Sequence, residues 1–503
     1  MKHSLQKTSA DQMNMNHTRK RQMRADADDQ AADQISNLPE AIRSHIVSML
    51  PMEEAVVTTV LSRSWRHILT SLTTLDFEYS RFPQVRRREQ LFIDFIKRTI
   101  ALHNRSNIEK FRMSFGFYFR YTPLVNEWIG FAVGCNVREL DLDIPKLEDA
   151  KLPSCLFTCE SLVVLKLNMN DSVLKLPVTI EFCRLKTLHL KWISFSDECL
   201  TRGLFSSCPM LEDLNFRSCE MKEFQIFDIS SPSLKSLTMF SCGLRTSKLK
   251  VSTPNLLSFK YIGYMAQDYA LENLSSLTDV DINFFGSTAD EDYSFHWGKL
   301  FRGLSNARVF RLGISCIGFL SRARDLLEWL PRFCNLKHLK LTSFPNKNHF
   351  QAIFCLLESS PNLEYLLVDV NGTECVKVTT LDFLKQFECS LVPHKILKKP
   401  IWVQPYTVDW QGYMESRELS LECLEYHLRT VEMRNFHGCD DEVNFVKLLL
   451  RNAKVLEGIT IAADDSQSAG AACRGILNCT TASSNVHITF PKKSEVHIAP
   501  PSR

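Results

Sequence analysis

Apolar residues recur along this chain at two different spacings, and the change from one to the other divides it. Ile42, Ile46, Met49 and Leu50 stand at i, i+4, i+7 and i+8, one stripe of a helix. Pro39 and Glu40 suit its first turn and Pro51 stops it, because proline presets φ and has no N–H to donate. Glu53 and Glu54 favour a second helix start, followed by Ala55, Val56, Val60 and Leu61. Trp65, Ile68, Leu69 and Leu72 make a third stripe. Three short helices in about forty residues cannot bury a self-sufficient core, so this segment is expected to finish its core against something else. Residues 86–130 are expected to be mostly helical, with the basic run Arg86-Arg87-Arg88 near the front.

From Val137 onward the spacing becomes Leu-x-x-Leu-x-Leu. It appears at Val137/Leu140/Leu142, Leu162/Leu165/Leu167, Leu185/Leu188/Leu190, Leu211/Leu214/Phe216 and Leu234/Leu237/Met239. It continues at Leu256/Phe259/Tyr261, Leu277/Val280/Ile282, Ala307/Phe310/Leu312, Leu336/Leu339/Leu341 and Leu363/Leu366/Val368. The steps between successive first positions are 25, 23, 26, 23, 22, 21, 30, 29 and 27 residues, the period of a leucine-rich repeat. The last two apolar positions lie two apart on a short strand and point inward together, so successive coils stack into a parallel sheet. Three residues on, Asn170, Cys219, Cys242 and Asn371 stand where a polar or small side chain must satisfy the turning backbone. Prolines in Cys208-Pro209, Ser231-Pro232, Thr253-Pro254 and Ser360-Pro361 end one coil before the next strand.

After residue 370 the period breaks, and residues 389–418 gather Pro393, Pro400, Pro405, Trp402 and Trp410. Glu422 to Met433 is expected as a strand, a helix carries Val443, Val446, Leu449 and Leu450, and Lys454 to Ile461 closes the array. Leu428/Val431/Met433 and Leu456/Ile459/Ile461 still fit the template, so this block reads as the cap that a repeat array needs over its last apolar face. The expected organisation is a polar tail over 1–32, a helical module over 33–75, a helical linker or N-terminal cap over 76–132 and repeats over 133–375. An irregular connector over 376–418, a capping block over 419–462 and a poorly ordered tail over 463–503 complete it. The fold class is α/β: a three-helix module, then an irregular repeat solenoid with a parallel sheet on the concave face and helices or coils on the convex face.

Composition narrows the function classes. The 60 basic and 57 acidic residues leave a formal net charge of +3, no global field for nucleic acid or membrane. No apolar run reaches the length of a membrane span and no secretion signal follows Met1, so a cytoplasmic or nuclear protein is expected. Arg19-Lys20-Arg21 with Arg24 has the form of an import signal, a form also common on solvated tails. The 17 cysteines never stand in C-x-x-C spacing, which argues against zinc ribbons and favours reduced, buried thiols. No phosphate-cradling loop, zincin helix or nucleophile elbow occurs. No catalytic residue, metal ligand or cofactor is therefore assigned.

Asp33 to Leu69 resembles an F-box, the module that binds a Skp-type adaptor. The resemblance rests on Ile35-Ser-Asn-Leu-Pro39, Ile46, Met49-Leu-Pro51, the Ala55-Val-Val stretch and Val60-Leu-Ser-Arg63 with Trp65-Arg66. Carried over from that family, the adaptor contacts are Leu38, Pro39, Ile46, Leu50, Pro51, Leu61, Ser62 and Trp65. Ser64 departs from the Lys or Arg usual in plant relatives. The closing block is similar to the FBD region of plant F-box/leucine-rich-repeat proteins through Cys423-Leu424, His427 to Glu432, Phe436 to Gly438, Asp440 to Glu442 and Lys447 to Leu456. The resemblance implies a non-catalytic substrate receptor of an SCF-type ubiquitin ligase, joined through the adaptor to a cullin and holding an unknown protein substrate on its repeats. The alternative is a repeat scaffold or receptor not coupled to degradation. Lys166, His189, Lys191, Asn215, Thr238, Lys260, Asp281 and Lys340 occupy exposed strand positions, and none is assigned a binding role.

Overall fold

The computed structural model describes residues 38–58, 63–115, 122–144, 151–285, 293–322, 330–370, 421–463 and 467–491. The chain divides into two compact units. The first is Met1–Leu147 with Pro153–Leu165, and the second is Glu148–Leu152 with Lys166–Arg503.

The first unit opens with the three expected helices, α1 (Glu40–Ser48), α2 (Met52–Thr58) and α3 (Arg63–Thr70). Then come β1 (Thr74–Glu78), α4 (Arg88–Leu102), β2 (Lys110–Ser114), α5 (Thr122–Gly134), β3 (Glu139–Asp143) and α6 (Ser154–Phe157). The expectation of a mostly helical stretch over 86–130 is corrected here: β2 lies within it, parallel to both β1 and β3. Leu72/Leu75/Phe77 and Ile108/Phe111/Met113 carry the same three-and-two spacing as the repeats, and all six are buried. Stacking therefore begins two coils before the expected start. Leu72 lies two residues beyond the end of α3, so no linker separates the third helix from the first coil.

β4 (Val164–Val173) carries the chain into the second unit, where β5 (Thr187–Phe195) is followed by α7 (Glu198–Ser206), β6 (Asp213–Arg217), β7 (Glu220–Met221) and β8 (Ile226–Ser230). Next come β9 (Ser236–Phe240), β10 (Lys248–Ser252), β11 (Ser258–Gly263), β12 (Asp268–Glu272), β13 (Asp279–Phe284), α8 (Tyr293–Gly303), β14 (Val309–Leu312), α9 (Ile314–Leu320) and β15 (His338–Ser343). The unit ends with α10 (Lys347–Glu358), β16 (Tyr365–Val370), α11 (Glu422–Tyr426), β17 (Thr430–Phe436), α12 (Asp440–Asn452), β18 (Gly458–Ala463), α13 (Gln467–Leu477) and β19 (His487–Thr489). One parallel sheet runs β5-β6-β9-β11-β13-β14-β15-β16-β17-β18-β19, with β7 against the end of β5. A second parallel sheet, β8-β10-β12, forms from the return legs.

In seven coils of the second unit, repeat length goes with the kind of return leg. The coils starting at Leu211, Leu234 and Leu256 have 23, 22 and 21 residues and return as β8, β10 and β12. Those starting at Leu185, Leu277, Ala307 and Leu336 have 26, 30, 29 and 27 residues and return through α7, α8, α9 and α10. A helix advances only about 1.5 Å per residue against about 3.3 Å for a strand, so the shorter coils span the same return distance only when extended.

Every repeat position read from the sequence is inward. Across all twelve triplets from Val137/Leu140/Leu142 to Leu456/Ile459/Ile461, none exceeds 3% exposure. At the strand exits, the second residue after the last inward position turns left-handed: Trp192 (φ 53°), Ser218 (51°), Ser241 (54°) and Asn435 (54°). Beyond it, the Cys219 thiol donates to the Leu190 carbonyl at 3.3 Å and the Cys316 thiol to the Ile282 carbonyl at 3.5 Å. Burial pushes the Cys242 and Cys316 thiols up to about 12, which makes them poor nucleophiles. All described cysteines are free thiols. Asn371 and the connector over 376–418 lie outside the described residues.

Two expectations near the C-terminus are corrected. Residues 422–426 are helical, and the strand begins at Thr430. The segment after 463 is not a loose tail throughout: α13 follows, and β19 pairs in parallel with β18. β18 is therefore not the closing strand. The Ser483 hydroxyl, buried at the first position of this last coil, donates to the Leu456 carbonyl at 2.7 Å.

Candidate functional site

The first two helices present apolar side chains in two directions, and α3 presents them inward. Inward, Val47, Met52, Ala55, Trp65 and Ile68 are buried, as α1 and α2 pack on α3 and α2 also meets β1. Outward, Ile42 is 47% exposed, Met49 70% and Val57 67%. Small helices need the first face for their own stability. The second face is left open by the described residues, and exposed apolar side chains gathered on one surface mark interaction sites.

The two prolines set where these helices start. Pro39 caps α1, and its carbonyl accepts from the Ile42 and Arg43 amides at 2.9 and 3.1 Å. The Pro51 carbonyl accepts from Ala55 at 2.9 Å, opening α2 one residue further on. Glu53, in the first turn of α2, lies 3.9 Å from Arg81. Burial raises its carboxyl above the usual range despite that neighbour.

Of the eight positions implied as adaptor contacts, Pro39 is exposed, and Leu38, Ile46, Leu50 and Pro51 are half-buried. Trp65 is only 3% exposed and belongs to the core. Leu61 and Ser62 lie outside the described residues. Sequence reasoning missed Met49 and Val57 as surface positions. Met49 fell on the first stripe at i+7, but it caps α1, where the helix ends and its side chain leaves the buried face.

The second candidate surface is the outward face of the long sheet, whose strand register sorts its residues into levels. One level runs His189, Asn215, Thr238, Lys260, Asp281, Arg311, Lys340, Leu367 and Glu432. Several charges on this face meet a neighbour of opposite sign, Lys260–Asp281 at 3.0 Å, Arg311–Asp279 at 2.6 Å and Arg434–Glu432 at 2.6 Å, and the His189 ring lies 2.8 Å from the Asp213 carboxylate. Burial alone would raise the Asp213 carboxyl, yet the His189 hydrogen bond holds it below the usual range. Among the described residues no cluster of His, Cys, Asp or Glu could hold a metal ion, and no helix is long and apolar enough to cross a membrane.

Comparison with known proteins gives this arrangement its context. The F-box domain profile matches residues 35–76, the profile described as "FBD-associated F-box protein At5g56370, LRR repeats" matches 125–272, and the FBD profile matches 417–461. The Arabidopsis thaliana "F-box/LRR-repeat protein At3g59200" is 31% identical over 73% of this chain and 75% of that protein. The chain belongs to the plant F-box/LRR-repeat family. Within it, "Putative F-box protein At3g58860" of Arabidopsis thaliana is 34% identical over 67% of this chain and 74% of its own length. "Putative F-box/FBD/LRR-repeat protein At3g59240", also from Arabidopsis thaliana, is 27% identical over 85% of both chains. The F-box match ends at residue 76, inside β1, consistent with a module that runs directly into the first coil.

Proposed function

We propose that this F-box/LRR-repeat chain is the substrate-recognition subunit of an SCF-type ubiquitin ligase. α1 and α2 dock on a Skp-type adaptor linked to a cullin, and the coils hold a protein substrate. The observation that carries this reading is the outward apolar set Ile42, Met49 and Val57, flanked by Leu38, Pro39, Ile46, Leu50 and Pro51. Leu61 and Ser62 complete the contact set carried over from the family. Trp65, being buried, acts from beneath by holding α3 in place. The chain supplies no chemistry of its own. It contributes proximity, holding a substrate lysine where an activated ubiquitin can be transferred by partner proteins.

Co-expression with a Skp-type adaptor tests the reading. A soluble stoichiometric complex is expected, weakened by the double change Leu38→Ala/Pro39→Ala. Equal adaptor capture by that variant would remove those two residues from the contact, and no capture by the wild type would favour a scaffold uncoupled from degradation.

A further inference from the structure

On the outward face of the second unit, the described acids of β6, β13, β16 and β17 are engaged. Asp279, Asp281 and Glu432 are in the ion pairs given above, Asp213 is hydrogen-bonded to His189, and Asp369 accepts from the Asn435 side-chain amide at 2.7 Å. The cations are not all matched. Among the described residues Lys191 on β5 and Arg217 on β6 have no ion pair, and they are register partners on adjacent strands. Adjacent strands lie about 4.8 Å apart, and like charges directly opposite each other destabilise a sheet. The same level continues through Phe240 and Ile262, both buried, which supply no counter-charge. Glu220, three residues beyond Arg217, is exposed and makes no ion pair with it. One level back, the buried Asn215 side-chain oxygen on β6 has no hydrogen-bond partner among the described residues.

Two cations side by side on adjacent strands, neither with an ion-pair partner among the described residues, keep a repulsion that a bound anion would relieve. We infer that Lys191 and Arg217 are the docking point for an acidic segment of the recruited protein, in which two neighbouring carboxylates of an extended peptide each meet one cation. Charge-assisted hydrogen bonds to carboxylates are the strong class, and Arg217 can make two in parallel. The inference rests on the receptor reading above and names the chemistry of its cargo.

The test uses the full chain purified with its Skp-type adaptor and a dye-labelled hexaglutamate peptide, with hexaglutamine and hexauridylate as competing probes, followed by fluorescence anisotropy. Saturable binding of hexaglutamate that weakens with added salt is expected. Lys191→Glu/Arg217→Glu should weaken it by at least about tenfold, as expected for two charge-assisted contacts. Lys191→Arg/Arg217→Lys should retain it, and Lys340→Glu, elsewhere on the same face, should leave it unchanged. Adaptor capture and thermal melting of each variant report folding. Undiminished binding by the charge-reversed variant, or preference for hexaglutamine or hexauridylate, overturns the inference. Failure of the wild type to capture the adaptor sinks the wider receptor reading instead, and the two failures are read in the same samples.

Discussion

Asp268 holds the second sheet to the helix beside it, and replacing it with Asn should expose how much that clamp contributes. Its carboxylate sits 2.9 and 3.0 Å from the Lys299 ammonium, 3.1 Å from His296 on the same helix, α8, and 3.6 Å from Lys248 on β10. Burial works against the charged form, but the hydrogen bonds from Lys299 and His296 outweigh it and hold the carboxyl down to about 2. An unfolded Asp titrates near 3.9, so the difference corresponds to about 2.5 kcal/mol at neutral pH. The Asp268 side chain is 18% exposed and Lys299 is 32% exposed. Screening by water then leaves about 1–2 kcal/mol. Because the folded value lies below the unfolded one, this stability is fully present above about pH 4 and is lost as the pH falls through about 2. Urea unfolding followed by tryptophan fluorescence suits the measurement, since Trp297 lies on α8 directly after His296. Asp268→Asn should be destabilised by that amount at pH 7 and by about half as much at pH 3. Equal stability at pH 7, or an undiminished deficit at pH 3, would refute the reasoning.

Other perturbations test the packing of the coils. A Cβ at Gly303 would fall 2.4 Å from the Leu271 Cβ, so Gly303→Ala must shift α8 against β12 and should cost about 1–3 kcal/mol in thermal or urea melts. Ser241 holds φ 54°, and Ser241→Gly should stabilise by about 0.5–1 kcal/mol, the left-handed cost relieved less the entropy glycine adds to the unfolded chain. Ending the chain at Ala463 removes α13 and β19 and uncovers the edge of β18. The shortened protein should melt lower and aggregate sooner in light scattering, and unchanged behaviour would deny this segment its capping role.

The repeat core was legible because the three-and-two spacing is a direct consequence of strand geometry, and Val137 through Ile461 all turned inward where it appeared. The same spacing at Leu72/Leu75/Phe77 and Ile108/Phe111/Met113 went unread. Those triplets sit among helical stripes, and Lys110, Arg112, Asp76 and Glu78 break their apolar character. In the fold these charges are outward cross-strand partners, with Arg112 2.8 Å from both Asp76 and Glu78. The second sheet was hidden for another reason. Phe227/Ile229 and Leu249/Val251 alternate too briefly to stand out, and only the 21- to 23-residue coil length betrays them. The last coil begins with Ser483 where a leucine was expected, so the period seemed to stop early. The helical module's partner face was legible in kind but not in detail. Helical spacing located the apolar stripes but could not say which side chains would face inward, so Val57 was passed over, while Trp65, carried over from the family as a contact, is buried.

The most direct test of the account is calorimetric titration of a Skp-type adaptor into the wild-type chain and into Met49→Asp/Val57→Asp. Both side chains are outward, so the variant should fold and melt as the wild type does, yet lose adaptor affinity by about a hundredfold or more, as when a central apolar patch is lost from an interface. Unchanged affinity in a normally folded variant would contradict the claim that this outward face of α1 and α2 is where the adaptor binds.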